Sequence, residues 1–436
     1  HMDKRYMIQS ICRFRQFEFI IPRTFLNFIS MQKENSAPQM APDEFQKHFH
    51  QACILQEAGR LKESLEIYDD LLSVFPGSPL LHFNCGLAYF DQQNFSKAET
   101  HYSKAAAMLT DDPDIHYNRG LNFRRLHRYK DAAISFENAF KAGDTSIDTL
   151  YNLALCNQDI GNFSEAGRLY DIILSKDSTH QSCLNNFAYL CHKSGDTKRA
   201  ESLYRQLLTI NPGHLAAQHM LSSLTGTTPD SAPIEYVESI FDNYANDFEH
   251  SLIENLQYKT PETLYDFYFQ AFKTKSQHRC LDLGCGTGLA GEQFKNICIE
   301  LTGIDISQKM LAIAKRKHLY DQLIKDDIIH FLQAANQKYN LILAADVFTY
   351  MGDLEKMFTE CSSSITKSGI LLFSVEEARE SDKGFELKHT GRFGHSAAYI
   401  KSLCQQTGWT ILDHQLSNLR QEKGEWIKGH LYLLQH

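Results

Sequence analysis

The sequence has no run that approaches the roughly 18 consecutive apolar residues needed to cross a membrane. Its longest apolar runs, such as residues 341–345, have only the length of a strand. Its 11 cysteines include no C-x-x-C pair beside a histidine pair, so we expect no metal site and interpret the thiols as those of a reduced, cytoplasmic protein. Positive charge is also in deficit, since 53 acidic residues outnumber 44 basic ones and leave a net charge of −9. A membrane span and nucleic-acid binding are therefore not expected.

The composition is that of a folded protein with more than one core. The chain has 436 residues, of which 43% are hydrophobic, 22% charged and 11% aromatic. These values argue against a disordered or fibrous protein, and the length is about three typical domains. At least two domains are expected.

Residues 1–44 show no clear helical or strand period. Phenylalanine and arginine interleave between residues 13 and 28, which suggests a targeting or membrane-surface helix, but Glu18 interrupts the charge and Pro22 splits the pattern. We predict a flexible extension that ends in a linker.

From residue 45 to about 214 the sequence repeats with a period of 34. Each period carries small residues at two fixed positions and an aromatic residue at a third. Two antiparallel helices approach closely only where side chains are small, and the aromatic ring fills the gap to the next repeat. Gln93 and His127 replace the glycine of two turns. The pattern resembles a tetratricopeptide-repeat superhelix of five repeats, with 215–224 as a capping helix, so this domain is predicted over 45–224. The aromatic residues are Tyr68, Tyr102, Phe136, Tyr170 and Tyr204.

The periodicity changes after residues 225–233, which are predicted to be a linker by composition. Residues 234–272 have a helical pattern, with a capping threonine and a proline at 260–261. Beyond them, apolar strands alternate with amphipathic helices, which is typical of a parallel sheet with crossover helices. A second, α/β domain is therefore predicted over 234–436.

The most informative stretch is residues 280–288, CLDLGCGTG. It combines a short buried strand that contains Asp282 with the glycines of a G-x-G-x-G loop directly ahead of a helix. Such a loop lets the backbone approach a ligand closely, and the helix N-terminus offers free amide donors. A dinucleotide site is the alternative, but the nicotinamide pattern requires glycine where Leu289 stands, and the acid favours an ammonium group over a pyrophosphate. The loop glycines are Gly284, Gly286 and Gly288.

Acidic residues also follow the next three predicted strands. Asp305 is placed to accept both hydroxyls of a ribose, and Asp327 with the amide of Ile328 could bind the edge of an adenine. Asp346 reaches the same carboxyl edge of the sheet. Any one of these acids alone is better explained as a solvated turn residue or helix cap, but four at successive strand ends indicate a cofactor site. Two apolar residues that could hold the faces of the ring are Ile306 and Met310.

This arrangement resembles the class I methyltransferases that use S-adenosylmethionine, over residues 236–436. The end of the chain agrees, because 410–415 and 429–434 are typical of the closing antiparallel hairpin of that Rossmann-like fold. Three segments resemble predicted methyltransferases that carry tetratricopeptide repeats: FDNYANDF at 241–248, GRFGHS at 391–396 and LRQE at 419–422.

The resemblance implies a cofactor and the residues that hold it. Asp282 and the backbone of 284–288 would hold the amino-acid end of S-adenosylmethionine, and the residues following the next two strands its ribose and adenine. The helices of 234–272 would form a lid. Within them Tyr244 either closes over the methionine portion or is ordinary helix packing.

The sequence also offers candidates for catalysis and for binding the methyl acceptor. Tyr350 and His395 are the catalytic candidates, and His395 could accept a proton because its unperturbed pKa is near neutrality. A structural histidine is the alternative. Arg392 and Arg420 could clamp a substrate carboxylate, or could simply pair with Glu422.

The repeats offer two candidate binding features. Asparagines at one phase of four inner helices could bond an extended peptide backbone, although asparagine is also common there in the repeat family. A run of arginines in the third repeat suggests an acidic partner or a solvated helix face. The asparagines are Asn84, Asn118, Asn152 and Asn186, and the arginines are Arg119, Arg124, Arg125 and Arg128.

Three functions stay open at this point. The first is a methyltransferase whose repeats recruit a protein or protein-attached substrate. The second is a scaffold whose methyltransferase-like domain is inactive or senses the cofactor. The third is a small-molecule methyltransferase that uses the repeats for assembly.

Overall fold

The computed structural model describes residues 40–436 apart from 246–247, 251, 253–255, 273–276, 336, 380–382 and 423. Residues 1–39 of the predicted extension lie outside the described residues. The chain divides into two compact units between Asp196 and Thr197.

The first unit consists of helices joined in pairs by short turns, and small residues let the paired helices approach. A Cβ on Gly86 would lie 2.6 Å from the ring of Tyr102, and one on Gly120 would lie 2.8 Å from the ring of Phe136. Both rings are fully buried, and each such burial stabilises the fold by about 1.5–3 kcal/mol. The helices are α1 (Pro42–Glu57), α2 (Leu61–Val74), α3 (Pro79–Asp91), α4 (Phe95–Met108), α5 (Pro113–Arg125), α6 (Tyr129–Lys141), α7 (Ile147–Asp159), α8 (Phe163–Lys176) and α9 (Gln181–Ser194).

The two turns without glycine keep the turn geometry of the others. Gln93 (φ +60°) and His127 (φ +56°) take the left-handed conformation that Gly59 and Gly161 take in their turns. A left-handed residue with a side chain costs about 1–2 kcal/mol. Packing within the repeats therefore outweighs this local strain.

The second unit begins with helices α10 (Thr197–Ile210) and α11 (Leu215–Thr225). The imidazole of His214 caps α11 by accepting the amide of Ala217, and the helix ends at Gly226 in the left-handed conformation. Helices α12 (Ile234–Tyr244) and α13 (Thr260–Phe272) follow, with one helical turn at Phe248–His250 between them.

Nine strands of the described chain then form one sheet with helices between them. The strands are β1 (His278–Leu283), β2 (Cys298–Asp305), β3 (Gln322–Lys325), β4 (Tyr339–Ala344), β5 (Ile365–Glu377), β6 (Phe385–Leu387), β7 (Phe393–His395), β8 (Thr410–Glu422) and β9 (Glu425–Gln435). The helices are α14 (Leu289–Phe294), α15 (Gln308–Arg316), α16 (Ile328–Ala334), α17 (Glu355–Ser364) and α18 (Ala397–Thr407), with 3₁₀ turns at Lys295–Ile297 and Phe348–Tyr350.

The sheet is mostly parallel and closes with an antiparallel hairpin. Its order is β3-β2-β1-β4-β5, with parallel pairing throughout this part. Residues 370–376 of β5 pair with β9, which forms a hairpin with β8, while the end of β5 pairs with β7. The predicted fold class, an all-helical repeat region followed by an α/β Rossmann-like domain, is confirmed.

Each face of the sheet is covered by its own core. In β4, Ile342 and Ala344 pack with Phe358 and Trp409 on one face of the sheet. Leu341 packs on the other face, in the cluster that includes residues of helix α13. Because both faces are covered, the functional groups concentrate at the strand ends. Among the described residues, no helix has the length and apolar character that crossing a membrane requires.

Candidate functional site

The predicted site lies at the carboxyl edge of the parallel strands. The order of the sheet reverses between β1 and β4, so the connections after these strands leave toward opposite faces. A crevice opens at such a point in parallel sheets and is where they bind ligands. The loops after β1, β2, β3 and β4 meet at this edge.

The glycine loop is bonded to the end of β2. The amide of Gly286 donates to Oδ2 of Asp305 at 2.9 Å, and the amide of Ser307 donates to Oδ1 at 2.8 Å. Gly284 has φ +62°, and a Cβ there would lie 2.8 Å from Val347, so only glycine fits without strain. Burial raises the pKa of Asp305, against the lowering effect of the two amides. Asp305 therefore orders the loop as well as facing the crevice.

Asp282 is paired with a tyrosine that the sequence analysis missed. The hydroxyl of Tyr320 donates to Oδ2 of Asp282 at 2.6 Å and accepts the amide of Gly291 at 3.2 Å. A Cβ on Gly288, Gly291 or Gly303 would come within 3.1 Å of the Tyr320 side chain. These glycines leave the space that lets Tyr320 reach beneath the loop.

The electrostatics of this end of the crevice fit a cationic, polar ligand. Asp282 is 1% exposed, and burial raises its pKa to about 7 against the Tyr320 hydrogen bond, with Asp305 adding to the rise. A nearby cation would offset that desolvation and favour the carboxylate. Oγ1 of Thr287, in the glycine loop, is buried without a hydrogen-bond partner among the described residues. These residues fit the ammonium-bearing end of S-adenosylmethionine.

The third strand end lies beside the second, since the amide of Asp326 donates to the carbonyl of Asp305. Asp327 is the N-cap of α16, where its Oδ1 accepts the amide of His330 at 3.0 Å. Ile328 is the first residue of that helix, so its amide has no partner within the helix. Of the two predicted ring contacts, Met310 is fully buried and Ile306 is half-buried.

The fourth strand end faces an internal cation. Asp346 has a left-handed backbone (φ +57°), and its amide and Oδ1 both bond Oγ of Ser374. Its Oδ2 accepts Nη1 of Arg420 at 3.1 Å. Burial raises the pKa of Asp346 and Arg420 opposes the rise. Asp346 is therefore engaged by Arg420, and its cofactor role stays a prediction.

Arg420 is the centre of a wider network of charges. Its Nε donates to Glu422 at 3.0 Å and its Nη2 donates to Glu376, while Arg392 also donates to Glu422. Nζ of Lys388 lies 3.1 Å from Glu376. Burial alone would raise the pKa of Glu376, but Arg420 and Lys388 hold it below its ordinary value. We call this set the Arg420 cluster; its members are Asp346, Glu376, Lys388, Arg392, Arg420 and Glu422.

The cluster joins the three predicted substrate residues to two that the sequence analysis missed, Glu376 and Lys388. The side chain of Arg420 is 3% exposed, whereas those of Arg392 and Glu422 are 26% and 22% exposed. Three carboxylates and three cations balance one another. The buried arginine is thus an internal counter-ion, and Arg392 with Glu422 is the partly solvent-exposed side of the cluster.

The two catalytic candidates differ in accessibility. His395 is 1% exposed, its Nε2 donates to the carbonyl of Gly352 at 3.0 Å, and burial lowers its pKa to about 4. This geometry favours a structural histidine over the proton acceptor suggested by the sequence. Tyr350 is half-buried and packs edge-on against Phe241 of α12, with ring centroids 5.3 Å apart.

Helix α12 contacts the cofactor end of the crevice. Oγ of Ser307 donates to Asp242 at 2.6 Å, and Nζ of Lys309 donates to the carbonyl of Asp242 at 3.1 Å. Tyr244, the predicted lid residue, is the last residue of α12 and is 48% exposed. It is therefore accessible at the end of a helix that is bonded to the β2–α15 connection.

The asparagines of the repeats are engaged within the array. Asn118 and Asn152, 4% and 9% exposed, each donate to the carbonyl four residues earlier. Asn84 does the same, and Asn186 donates to the hydroxyl of Tyr151. A peptide-binding ladder would need these amides to face the groove.

The arginines of the third repeat also have internal partners. Arg119 donates twice to Glu99, and Arg128 pairs with Asp131. Nη1 of Arg124 donates to Asn152 at 2.6 Å. Much of the positive charge is therefore balanced inside the first unit.

Comparison with known proteins finds matches in both parts of the chain. Residues 281–373 match the model of a methyltransferase domain, and residues 49–114 and 182–214 match models of the tetratricopeptide repeat. Malonyl-[acyl-carrier protein] O-methyltransferase of Bacillus anthracis is 31% identical over 124 residues, which are 28% of this chain and 46% of that protein. The chain thus spans about half the length of the curated relatives it matches.

Solved structures are also similar to parts of the chain. Magnesium protoporphyrin IX methyltransferase from Synechocystis PCC 6803, with bound SAM, covers 47% of this chain and 97% of its own, with 16% identity and a TM-score of 0.36. YrrB, a TPR protein with an unusual peptide-binding site, covers 45% of this chain and 96% of its own, with 19% identity and a TM-score of 0.38.

Proposed function

Because the chain joins a methyltransferase domain to tetratricopeptide repeats, we propose that it transfers a methyl group from S-adenosylmethionine to an oxygen or nitrogen nucleophile. The observation that carries this proposal is the pair of buried carboxylates, Asp282 and Asp305, at adjacent strand ends beside the glycine loop. In this proposal Asp282 binds the ammonium group and Asp305 the ribose hydroxyls. Asp327 and the amide of Ile328 bind the adenine, with Ile306 against its face.

S-adenosylmethionine supplies the methyl group on a sulfonium. The chain's own part is to align the acceptor and exclude water, which can provide about 7–11 kcal/mol of the barrier reduction. No strong base is required, so the structural role of His395 is compatible with turnover. We call Tyr350 and the Arg420 cluster the acceptor side, and Arg392 with Glu422 is its accessible part. The relative from Bacillus anthracis is an O-methyltransferase by name, which supports an oxygen acceptor.

We propose that the repeats bind a protein or protein-attached substrate, by surfaces other than the internally bonded asparagines. The match to the repeat models supports this role. We also propose a cytoplasmic location, because the ten cysteines within the described residues all carry free thiols.

The proposed activity predicts label transfer from S-adenosylmethionine with a tritiated methyl group to the macromolecular fraction of a cell extract. A variant that lacks residues 40–196 keeps the whole second unit and serves as the comparison. We expect it to bind the cofactor within about twofold of the full chain but to need a several-fold higher extract concentration for half-maximal rate, because avidity is lost. Transfer confined to small molecules, or an unchanged half-maximal concentration, would reject recruitment by the repeats.

A further inference from the structure

The segment between α11 and α12 is bonded to the acceptor side. The carbonyl of Asp230 accepts the amides of Gly352 and Asp353 at 2.9 and 2.8 Å, and the amide of Ala232 donates to the carbonyl of Tyr350 at 3.0 Å. Ala232 is 5% exposed in an apolar cluster with β6 and β7. The segment predicted to be a linker is therefore hydrogen-bonded to the residues that follow β4, through one isolated antiparallel bridge between Ser231 and Met351.

Helix α11, which precedes this segment, makes a specific contact with the same region. Nε2 of His219 donates to the carbonyl of Gly391 at 2.8 Å, and its ring packs against Tyr236 with centroids 4.8 Å apart. Gly391 has φ +78°, and a Cβ there would lie 2.9 Å from Sδ of Met220. His219 is 2% exposed, so its hydrogen bond is shielded from water.

The loop that accepts this bond carries two cations of the Arg420 cluster. The amide of Gly391 donates to the carbonyl of Lys388, and the amide of Lys388 donates to the carbonyl of Arg392, both at 2.9 Å. The side chains of Lys388 and Arg392 then bond Glu376 and Glu422. The hydrogen bond at the Gly391 carbonyl thus joins His219 to a tight turn whose two ends both reach the acceptor side.

We propose that His219, in the last helix of the repeat pattern, is a positioning residue for the acceptor side of the methyltransferase. It holds the 388–392 turn and so sets where Lys388 and Arg392 stand. The inference rests on the proposed function. It concerns the acceptor and not the cofactor, because β4 and β5 separate β7, which follows the turn, from β1 and β2.

The test uses three variants of the full chain: His219→Ala, His219→Gln and the control Ser222→Ala. Glutamine keeps an N–H near the position of Nε2, and the hydroxyl of Ser222 bonds only to its own helix in the contacts described, at the carbonyl of Gln218. We expect His219→Ala to raise amide hydrogen exchange in 388–392 and the half-maximal extract concentration for methyl transfer, each about tenfold, as for one shielded hydrogen bond. Cofactor affinity should stay within about twofold, and His219→Gln should restore most of both properties.

The outcomes separate the inference from the proposed function. Unchanged exchange or transfer in His219→Ala, an equal effect of Ser222→Ala, or a parallel loss of cofactor affinity would overturn the positioning role. If the unmodified chain neither binds S-adenosylmethionine nor transfers label, the proposed function fails. In that case the exchange measurement still decides whether His219 holds the 388–392 turn. The positioning role itself is rejected, because it requires a methyltransferase activity.

Discussion

Replacement of Arg420 by methionine is expected to lower the free energy of unfolding of the second unit by about 3–5 kcal/mol, the cost of removing one partner from a buried charge pair. Arg420 is 2% exposed and bonds three carboxylates, so its loss strands negative charge in the interior. The effect should be larger at pH 8 than at pH 5. In the unmodified chain the pKa of the paired Glu376 is lowered, so its ionised form stabilises the native state at pH values above the pKa of the unfolded state. In the variant the carboxylates have lost their cation, and protonation at lower pH removes part of the cost of burying their charge.

Tryptophan fluorescence during denaturant unfolding measures the free energy of unfolding of the second unit. Both tryptophans, Trp409 and Trp426, belong to the second unit. Arg279→Met is the matched control, because Arg279 pairs with Glu300 across neighbouring strands but its side chain is 45% exposed. That substitution should cost about 1 kcal/mol or less. Equal losses in the two variants would contradict the description of the cluster as a buried counter-ion network.

Binding of S-adenosylmethionine is expected to weaken about fivefold to tenfold between pH 7.5 and pH 6, because protonation of Asp282 removes the carboxylate that the ammonium requires. Burial raises the pKa of Asp282 to about 7, so the carboxylate forms across this range as the pH rises. The window ends near pH 7.5 because an α-amino group begins to lose its own proton at about pH 7.7–8.0. Titration calorimetry at several pH values measures the midpoint.

The same titration tests the role of Tyr320. Tyr320→Phe removes the hydrogen bond that lowers the pKa of Asp282, so the midpoint of the pH dependence should move upward and binding at pH 7 should weaken. Tyr265→Phe is the control, since its hydroxyl bonds Asn296. A pH-independent affinity would contradict ammonium binding by Asp282, and the same midpoint in both variants would contradict the role of Tyr320.

The fold could be predicted because its signals are local. The period of 34 shows between neighbouring repeats along one continuous stretch, and the strand–glycine loop–helix order lies within one short segment; burial then makes the expected elements pack. The common sheet edge of the strand-end acids is also predictable from the sequence, because parallel strands bring their carboxyl ends together. Asp282 and Asp305 do lie at adjacent strand ends beside the loop.

The pairings at the site could not be predicted, because they join residues distant in sequence. Tyr320 bonds Asp282 across 38 positions, and Arg420 bonds Glu376 across 44. Burial of His395 is likewise a property of the packed loops. A linker composition also gives no sign that Asp230 and Ala232 are hydrogen-bonded to the residues after β4, since small and polar residues suit a bonded segment as well as a flexible one.

The central claim is that S-adenosylmethionine binds at the ends of β1 and β2, and a calorimetric titration with Asp305→Ala tests it most directly. Asp321→Ala is the matched control, because Asp321 also accepts two hydrogen bonds but lies at the amino end of β3, on the opposite edge of the sheet. We predict one site in the unmodified chain, an affinity loss of about 1.5–3 kcal/mol or tenfold and more in Asp305→Ala, and little change in the control. Equal affinity in all three proteins, or no binding by the unmodified chain, would contradict the account.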